Sequence, residues 1–380
     1  MKRNEKLKTL LVSPSPLPVG GIQSWTVNLL DFLEHQDQTE FNYINSSVKY
    51  KDILEMGLWK RISAGIKVTI DLIRAIKLSI HINKPNVIHL TSSASLALFK
   101  DLLILRVAKK NKTPLVIHWR FGRIPDLALR KNWEWYLITH IIRKSAYSIV
   151  IDDNSYKILI DAGFKNVINI ANPISEELAK AAVTQKNIDR NVVEGKVIFV
   201  GHIIANKGIY ELVETCVTLP KVKQLKLIGP VKDKVKAELK NIAMKREDGN
   251  WLLLTGTKPR EIVFSEISSA ELLVLPSYTE GFPNVILEAM AMACPVVATN
   301  VGAIPEMLNI NSNSPAGLCI PTKDIEALKT SIEKLLSDKE LGTKYGQNGL
   351  TRVLENFTLD KIFKKYEVVW QTAADNHKFL

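Results

Sequence analysis

Two glutamates, Glu280 and Glu288, bracket the loop Gly281-Phe282-Pro283 and the turn that follows it. The run AELLVLP, Ala270 to Pro276, predicts a buried strand ahead of this loop. A helix is expected from Pro283 or Asn284 onward, carrying Glu288, and PVVATN, Pro295 to Asn300, predicts the next strand. In a parallel sheet, a strand-loop-helix-strand unit places ligands at the strand's C-terminal end and anions at the helix N-terminus. Carboxylates beside such an anion site can accept hydrogen bonds from hydroxyls while the helix amides face phosphate. That combination suits a nucleotide-sugar. Taken alone, two acids near a helix start are unremarkable, because helix N-termini favour negative charge.

Other residues stand where the same chemistry would need them. Gly20-Gly21 follows a predicted first strand and opens a helix, so its amides can face an anion or simply form a tight turn. His118 ends the predicted strand TPLVIHWR. A lone histidine there is commonly a satisfied structural residue, yet strand ends are also where α/β ligands bind. Arg120 and Arg123 follow it and can pair with a phosphate or an acidic acceptor. His89, ending NVIHL, is a weaker candidate of the same kind.

Short apolar runs alternate with amphipathic stretches along the whole chain. Strands are expected at Thr9 to Pro16, Phe41 to Ser46, Asn86 to Ser93, Thr113 to Arg120 and Tyr147 to Asp153. They recur at Lys196 to His202, 223–230 and 251–257, with helices between. This pattern predicts parallel sheets covered on both faces. At 380 residues two domains are expected. The polar segment from Ile170 to Gly195, with Asn172-Pro173, is expected to connect them.

Composition narrows the class. Hydrophobic residues make up 46% and charged residues 24%, as in a soluble globular protein. No apolar run reaches the roughly 20 residues that cross a bilayer. The apolar stretch after the charged start is too short for a secretory segment and reads as a strand. Three cysteines, Cys216, Cys294 and Cys319, without metal-ligand spacing, fit a reducing cytoplasm, and no metal is expected. The net charge is +12, and residues 1–170 hold 25 basic and 14 acidic side chains, a net of +11. A basic half attracts an anionic membrane, nucleic acid or phosphorylated substrate, or simply aids solubility. No nucleic-acid-binding motif accompanies it. From Leu58 to Ile80 a helix is expected with Lys60, Lys67, Arg74 and Lys77 on one face. It reads either as an interfacial helix or, preferably, as a helix with its apolar side on the sheet.

The Glu280-to-Glu288 segment resembles the Glu-x7-Glu motif of retaining glycosyltransferases of the GT-B fold, most closely the family-4 group. VIFVGHIIANKGIYELVE resembles that family's second phosphate site, with Lys207-Gly208 matching. The resemblance implies α/β architecture with two Rossmann-like domains facing a central cleft. The expected boundaries are 1–172 for an acceptor-binding domain, with a last helix of about 358–380 returning to it, and 173–357 for a nucleotide-sugar-binding domain. It implies that Glu280 contacts hydroxyls of the transferred sugar, with Gly281, Phe282 and Pro283 around it. Asn284 and Val285 would offer amides to the diphosphate, and Glu288 would accept from ribose hydroxyls. Lys207 would stabilise the leaving group, Thr257 and Lys258 would lie near the nucleobase, Gly20-Gly21 near the donor phosphate, and His118 beside the transferred sugar. His202 stands where the family usually has arginine. A mostly neutral histidine is a weaker phosphate ligand than a guanidinium, so the burden shifts to Lys207 and the helix amides.

The expected reaction is therefore metal-independent, retaining transfer from a nucleotide-sugar, a UDP-sugar in preference to a GDP-sugar, without a cofactor. A polyprenyl-diphosphate-linked saccharide is the expected acceptor, on the inner face of a bacterial cytoplasmic membrane, in surface polysaccharide synthesis. The alternatives are a transferase acting on a small soluble acceptor and a non-catalytic nucleotide-sugar-binding scaffold, the latter motivated by His202.

Overall fold

The computed structural model describes residues 6–14, 21–35, 39–47, 58–186, 190–247 and 250–377. The chain divides into two compact units. One joins Met1–Pro173 to Leu359–Leu380; the other is Ile174–Thr358.

The first unit is built on six parallel strands: β1 (Leu7–Ser13), β2 (Thr39–Asn45), β3 (Val87–Ser92), β4 (Leu115–Trp119), β5 (Tyr147–Val150) and β6 (Val167–Asn169). Their order is β2-β1-β3-β4-β5-β6. Strand side chains alternate between faces, and both faces are covered. Leu10, Val12, Ile88, Leu90, Leu115 and Ile117 point into one core with helices Leu58–Asn83, Ala97–Lys110 and Trp133–Lys144. Their odd-face neighbours Leu11, Val87, Val116 and Ile149 meet helix Gly21–Leu33 and the last helix, Leu359–His377. That second core is aromatic: Trp25, Phe363, Tyr366 and Trp370 are all buried in it.

The second unit has strands β7 (Val193–Val200), β8 (Gln224–Ile228), β9 (Leu252–Leu254), β10 (Ala270–Leu275), β11 (Val296–Thr299) and β12 (Gly317–Ile320), also all parallel. Their order is β12-β11-β10-β7-β8-β9. From β7 the chain winds outward to one edge and from β10 to the other. The carboxyl ends of β7 and β10 are therefore a topological switch point, where open α/β sheets bind ligands.

The units divide between Pro173 and Ile174, inside the stretch from Ile170 to Gly195 expected to connect them, and most of that stretch belongs to the second unit. Ser175 accepts a hydrogen bond from the Leu178 amide and starts helix Glu176–Gln185, which packs on the second unit's helices Asn284–Ala291 and Lys339–Asn356. A serine N-cap followed by Glu176 and Glu177 in the first turn accounts for this helix, and its polar exposed face concealed it. Helix Leu58–Asn83, in turn, does not bury all its apolar residues. Leu72, Ile76 and Ile80 are buried, while Ile66, Ile70, Leu78 and Ile82 are exposed beside Lys67, Arg74 and Lys77. The Lys60 side chain lies outside the described residues. No helix among the described residues is long and apolar enough to cross a membrane.

The split of that helix can be measured. Ile76→Ala is expected to cost about 2–5 kcal/mol because it leaves a cavity in the core. Ile66→Ala, with the side chain 56% exposed, is expected to stay within about 0.5 kcal/mol. Urea denaturation followed by the near-ultraviolet signal of the first unit's tryptophans would compare the two.

Candidate functional site

Over the switch point of the second sheet, the loops after β7 and β10 close on one another. After β7, residues Ala205–Lys207 form a 3-10 turn and Gly208 starts helix Ile209–Val217. Gly208 has φ +66, and a Cβ there would fall 2.1 Å from the Pro276 carbonyl oxygen. Only glycine allows this approach. Its consequence is a direct link between loops: the Tyr278 amide donates to the Asn206 carbonyl at 2.9 Å.

Lys207 and Glu280 thereby meet, 73 positions apart in sequence. Lys207 Nζ donates to Glu280 Oε1 at 2.6 Å, and Ser277 Oγ donates to the same oxygen at 2.7 Å. Ser277 is fully buried and its carbonyl accepts from Thr299 Oγ1 at 2.5 Å. One carboxylate oxygen is thus pinned by two donors. Oε2 takes neither of these bonds, so the carboxylate keeps a second, oriented acceptor. The ammonium and this acceptor sit at the sheet edge within one ion pair.

The loop beyond Glu280 is held from its other side. Gly302 has φ +56, and a Cβ would lie 2.4 Å from the Glu280 carbonyl oxygen and 2.5 Å from that of Gly281. The Ala303 amide donates to the Gly281 carbonyl at 2.8 Å. Phe282 is buried with its ring edge-on to Phe357, centroids 6.2 Å apart. Pro283 caps helix Asn284–Ala291, whose first turn is Asn284 and Val285. Pro283 lacks an amide proton, so donors at this helix start begin with Asn284. Glu288 is one turn further and half-buried; burial pushes its carboxyl up, against the pull of the Arg260 guanidinium. His202 is exposed on the turn after β7, and Thr257 and Lys258 are exposed after β9.

In the first unit, His118 lies near the end of β4, fully buried. Its Nδ1 is 3.3 Å from His89 Nε2 and its Nε2 is 3.4 Å from Arg120 Nη1. Arg120 donates to Asn172 Oδ1 at 2.5 Å and lies over the Trp25 ring, 4.7 Å from its centroid. The sugar contact expected of His118 would therefore require the Arg120 guanidinium to turn aside. Arg123 is held by Glu134 at 3.2 Å and Ser95 Oγ at 3.1 Å, an internal clamp that engages it structurally. Gly21 is the first residue of its helix; Gly20 lies outside the described residues. No group of three or more metal-ligating side chains occurs among the described residues.

Sequence reasoning did not single out Ser277, Tyr278, Trp25 or Trp370. Ser277 could have been noticed as the first polar residue after an apolar strand. Trp370 needed knowledge of which sheet the last helix covers.

Residues 183–352 match the model of the family Glycosyl transferases group 1. Over this stretch, 170 of the 380 residues, the chain is similar to the group 1 glycosyltransferases. It is 31% identical over 198 residues to the capsular polysaccharide biosynthesis glycosyltransferase CapM of Staphylococcus aureus, covering 49% of this chain and 48% of that protein. It is 30% identical over 139 residues to the putative teichuronic acid biosynthesis glycosyltransferase TuaC of Bacillus subtilis, covering 36% and 32%. The matched region thus spans half or less of either relative. Among solved structures, sucrose-phosphate synthase from Thermosynechococcus elongatus superposes with a TM-score of 0.71 at 19% identity, over 96% of this chain and 98% of that one. Anabaena HepE in complex with UDP gives 0.70 at 16%, over 97% and 100%. These structural likenesses establish the GT-B fold class.

The glycine at the edge of the site makes a sharp comparison. Gly302→Ala is expected to destabilise by well over 1 kcal/mol, since it combines a left-handed backbone with a clash against carbonyls. Gly163→Ala has φ +87 but nothing within 4 Å, so only the roughly 1–2 kcal/mol backbone cost remains. Thermal melts of the two variants would show the larger drop for Gly302→Ala.

Proposed function

We propose that this chain is a retaining, family-4-type glycosyltransferase that moves a sugar from a nucleotide-sugar to a saccharide acceptor. The observation that carries the proposal is the Lys207–Glu280 pair at the switch point of the second sheet. Departure of a nucleoside diphosphate is the charged step, and preorganised donors at a sheet edge are the main physical means of stabilising it. Lys207 supplies a cation there, and the first turn of helix Asn284–Ala291 supplies amides. Glu280, held through Oε1, offers Oε2 to sugar hydroxyls, and Glu288 serves the ribose. Thr257 and Lys258 stand at the base end. His202 contributes less than an arginine would, so Lys207 carries most of the leaving-group charge. No metal takes part. The UDP complex of the structural neighbour supports a UDP-sugar as the first donor to try.

The acceptor is a polyprenyl-diphosphate-linked saccharide, and the enzyme works on the inner face of the cytoplasmic membrane in surface polysaccharide assembly. The names of the two bacterial relatives support the pathway class. The surface of the first unit supports the membrane. Helices Leu58–Asn83, Ala97–Lys110 and Trp133–Lys144 are neighbours on one face of its sheet. They expose Ile66, Ile70, Phe99, Leu103, Trp133 and Tyr136. Phe99 and Trp133 stack at 5.9 Å, each near its helix N-terminus and so toward the ligand edge of the sheet. Lys67, Arg74, Lys77, Arg106, Lys110 and Arg143 are exposed on the same helices. Apolar side chains rimmed by cations suit an anionic lipid interface.

Thermal-shift measurements with UDP, GDP and their sugars test the donor. One series is expected to raise the melting temperature, by about 2.7 kcal/mol of stability at a hundredfold excess over Kd. Lys207→Ala is expected to lower turnover about 10²–10³-fold. Donor binding with equal, negligible turnover in wild type and Glu280→Ala would replace the enzyme with a scaffold. Flotation on vesicles containing anionic lipid tests the surface. The wild type is expected to float at low salt, and the Phe99→Glu/Trp133→Glu double variant to remain below. A wild type that does not float favours a soluble acceptor.

A further inference from the structure

Two imidazoles lie side by side in the first unit, on adjacent strands: His89 on β3 and His118 on β4, both fully buried. A chain of polar contacts runs through them. Trp370 Nε1, from the last helix, donates to His89 Nδ1 at 2.9 Å. His89 Nε2 is 3.3 Å from His118 Nδ1, and His118 Nε2 is 3.4 Å from Arg120 Nη1. Around them stand Trp25, edge-on to His118, and Tyr366, whose hydroxyl accepts from Trp25 Nε1 at 3.3 Å.

The protons on this chain can be assigned. An indole nitrogen only donates, so His89 Nδ1 must accept. Both rings are neutral: burial, then Arg120, pushes His89 down to about 3 and holds His118 well below the usual histidine range, with His89 adding to the second effect. The other titratable groups facing the pair are Arg120 and Tyr366, neither of them acidic near neutrality; burial pushes the Tyr366 phenol up to about 12. A neutral imidazole has one ring proton. In His89 it must lie on Nε2, which therefore donates to His118 Nδ1. The proton of His118 is then on Nε2. The reverse order would leave His89 with no proton at all. A guanidinium is also only a donor, so the contact of His118 Nε2 with Arg120 brings two donors together and satisfies neither.

We propose that Trp370 and His89 are positioning residues that fix His118 as an Nε2–H hydrogen-bond donor, and that His118 acts on ligand only by donating to an oxygen lone pair at the end of β4. His118 is thereby excluded as the base that removes a proton from an acceptor hydroxyl. The assignment itself is independent of the glycosyltransferase reading; only the identity of the oxygen rests on that reading. The donor–donor contact also explains why Arg120 leans toward Asn172: the amide oxygen supplies the acceptor that the imidazole cannot.

Nitrogen-15 ring spectra of the full-length wild-type chain, labelled at histidine, test this without any turnover. The sequence has seven histidines, and the spectrum of His118→Gln assigns the signal of interest. The expected result is a neutral His118 with a protonated Nε2 and a bare Nδ1, unchanged between pH 6 and 8. A bare Nε2, an imidazolium, or a mixture in the wild type overturns the proposal. In Trp370→Phe, both tautomers are expected at His89 and His118. If transfer activity is present, kcat is expected to fall about tenfold with a smaller change in KM, as when an orienting partner is lost. A Trp370→Phe spectrum identical to wild type would remove the positioning role. Absence of turnover in the wild type would sink the proposed reaction and leave the spectra to decide this assignment.

Discussion

The close approach of two loops above the β7/β10 boundary is the constraint on which the second unit's site depends. It is a backbone constraint before it is a side-chain one. Gly208 lets the first loop press against Pro276, the Asn206–Tyr278 hydrogen bond closes the contact, and Lys207 is left beside Glu280. A half-buried carboxylate needs compensation, and here it comes from an ammonium and a buried hydroxyl on the same oxygen. Removing one partner of such a group leaves the other exposed to the full desolvation penalty. The pair therefore ties the proposed recognition to stability: the groups proposed to meet sugar and diphosphate also hold the two loops together.

Much of this was legible in the sequence, for a physical reason. Glu280 and Lys207 each sit in a local strand-loop-helix pattern, and local patterns survive without knowledge of the fold. That they touch is a property of strand order, because β7 and β10 are neighbours although β8 and β9 lie between them in sequence. His118 and His89 show the limit more sharply. Each reads as a strand-end histidine, yet their contact requires β3 beside β4, and the Trp370 bond joins positions 281 residues apart. Periodicity in residues 58–83 announced a helix but not which apolar side chains would face the core. Propensity speaks to the backbone; the division between Ile76 and Ile66 is decided by the neighbours. Helix Glu176–Gln185 was hidden by its own polarity.

The first unit concentrates nearly all of the chain's excess positive charge, and the fold distributes it unevenly. Of the acids on helices Ala97–Lys110 and Trp133–Lys144, Asp101 and Glu134 are buried against Ser92 and Arg123. Burial of these carboxylates leaves the outer surface of those two helices to cations and apolar rings. Surface character thus follows from what the interior has taken up, and not from composition alone.

The last helix carries a consequence for how the molecule is made. Phe363, Tyr366 and Trp370 complete an aromatic layer over strands synthesised far earlier, and Trp370 also donates to His89, 281 positions before it. During vectorial synthesis, one side of the N-terminal sheet has only helix Gly21–Leu33 to cover it until Leu359–His377 leaves the ribosome, whereas Ile174–Thr358 is already complete. The later-made half can mature first, and the earlier-made half waits for a clasp from the tail. Nascent chains of this protein are therefore expected to keep part of an apolar β-surface bare until the last helix emerges.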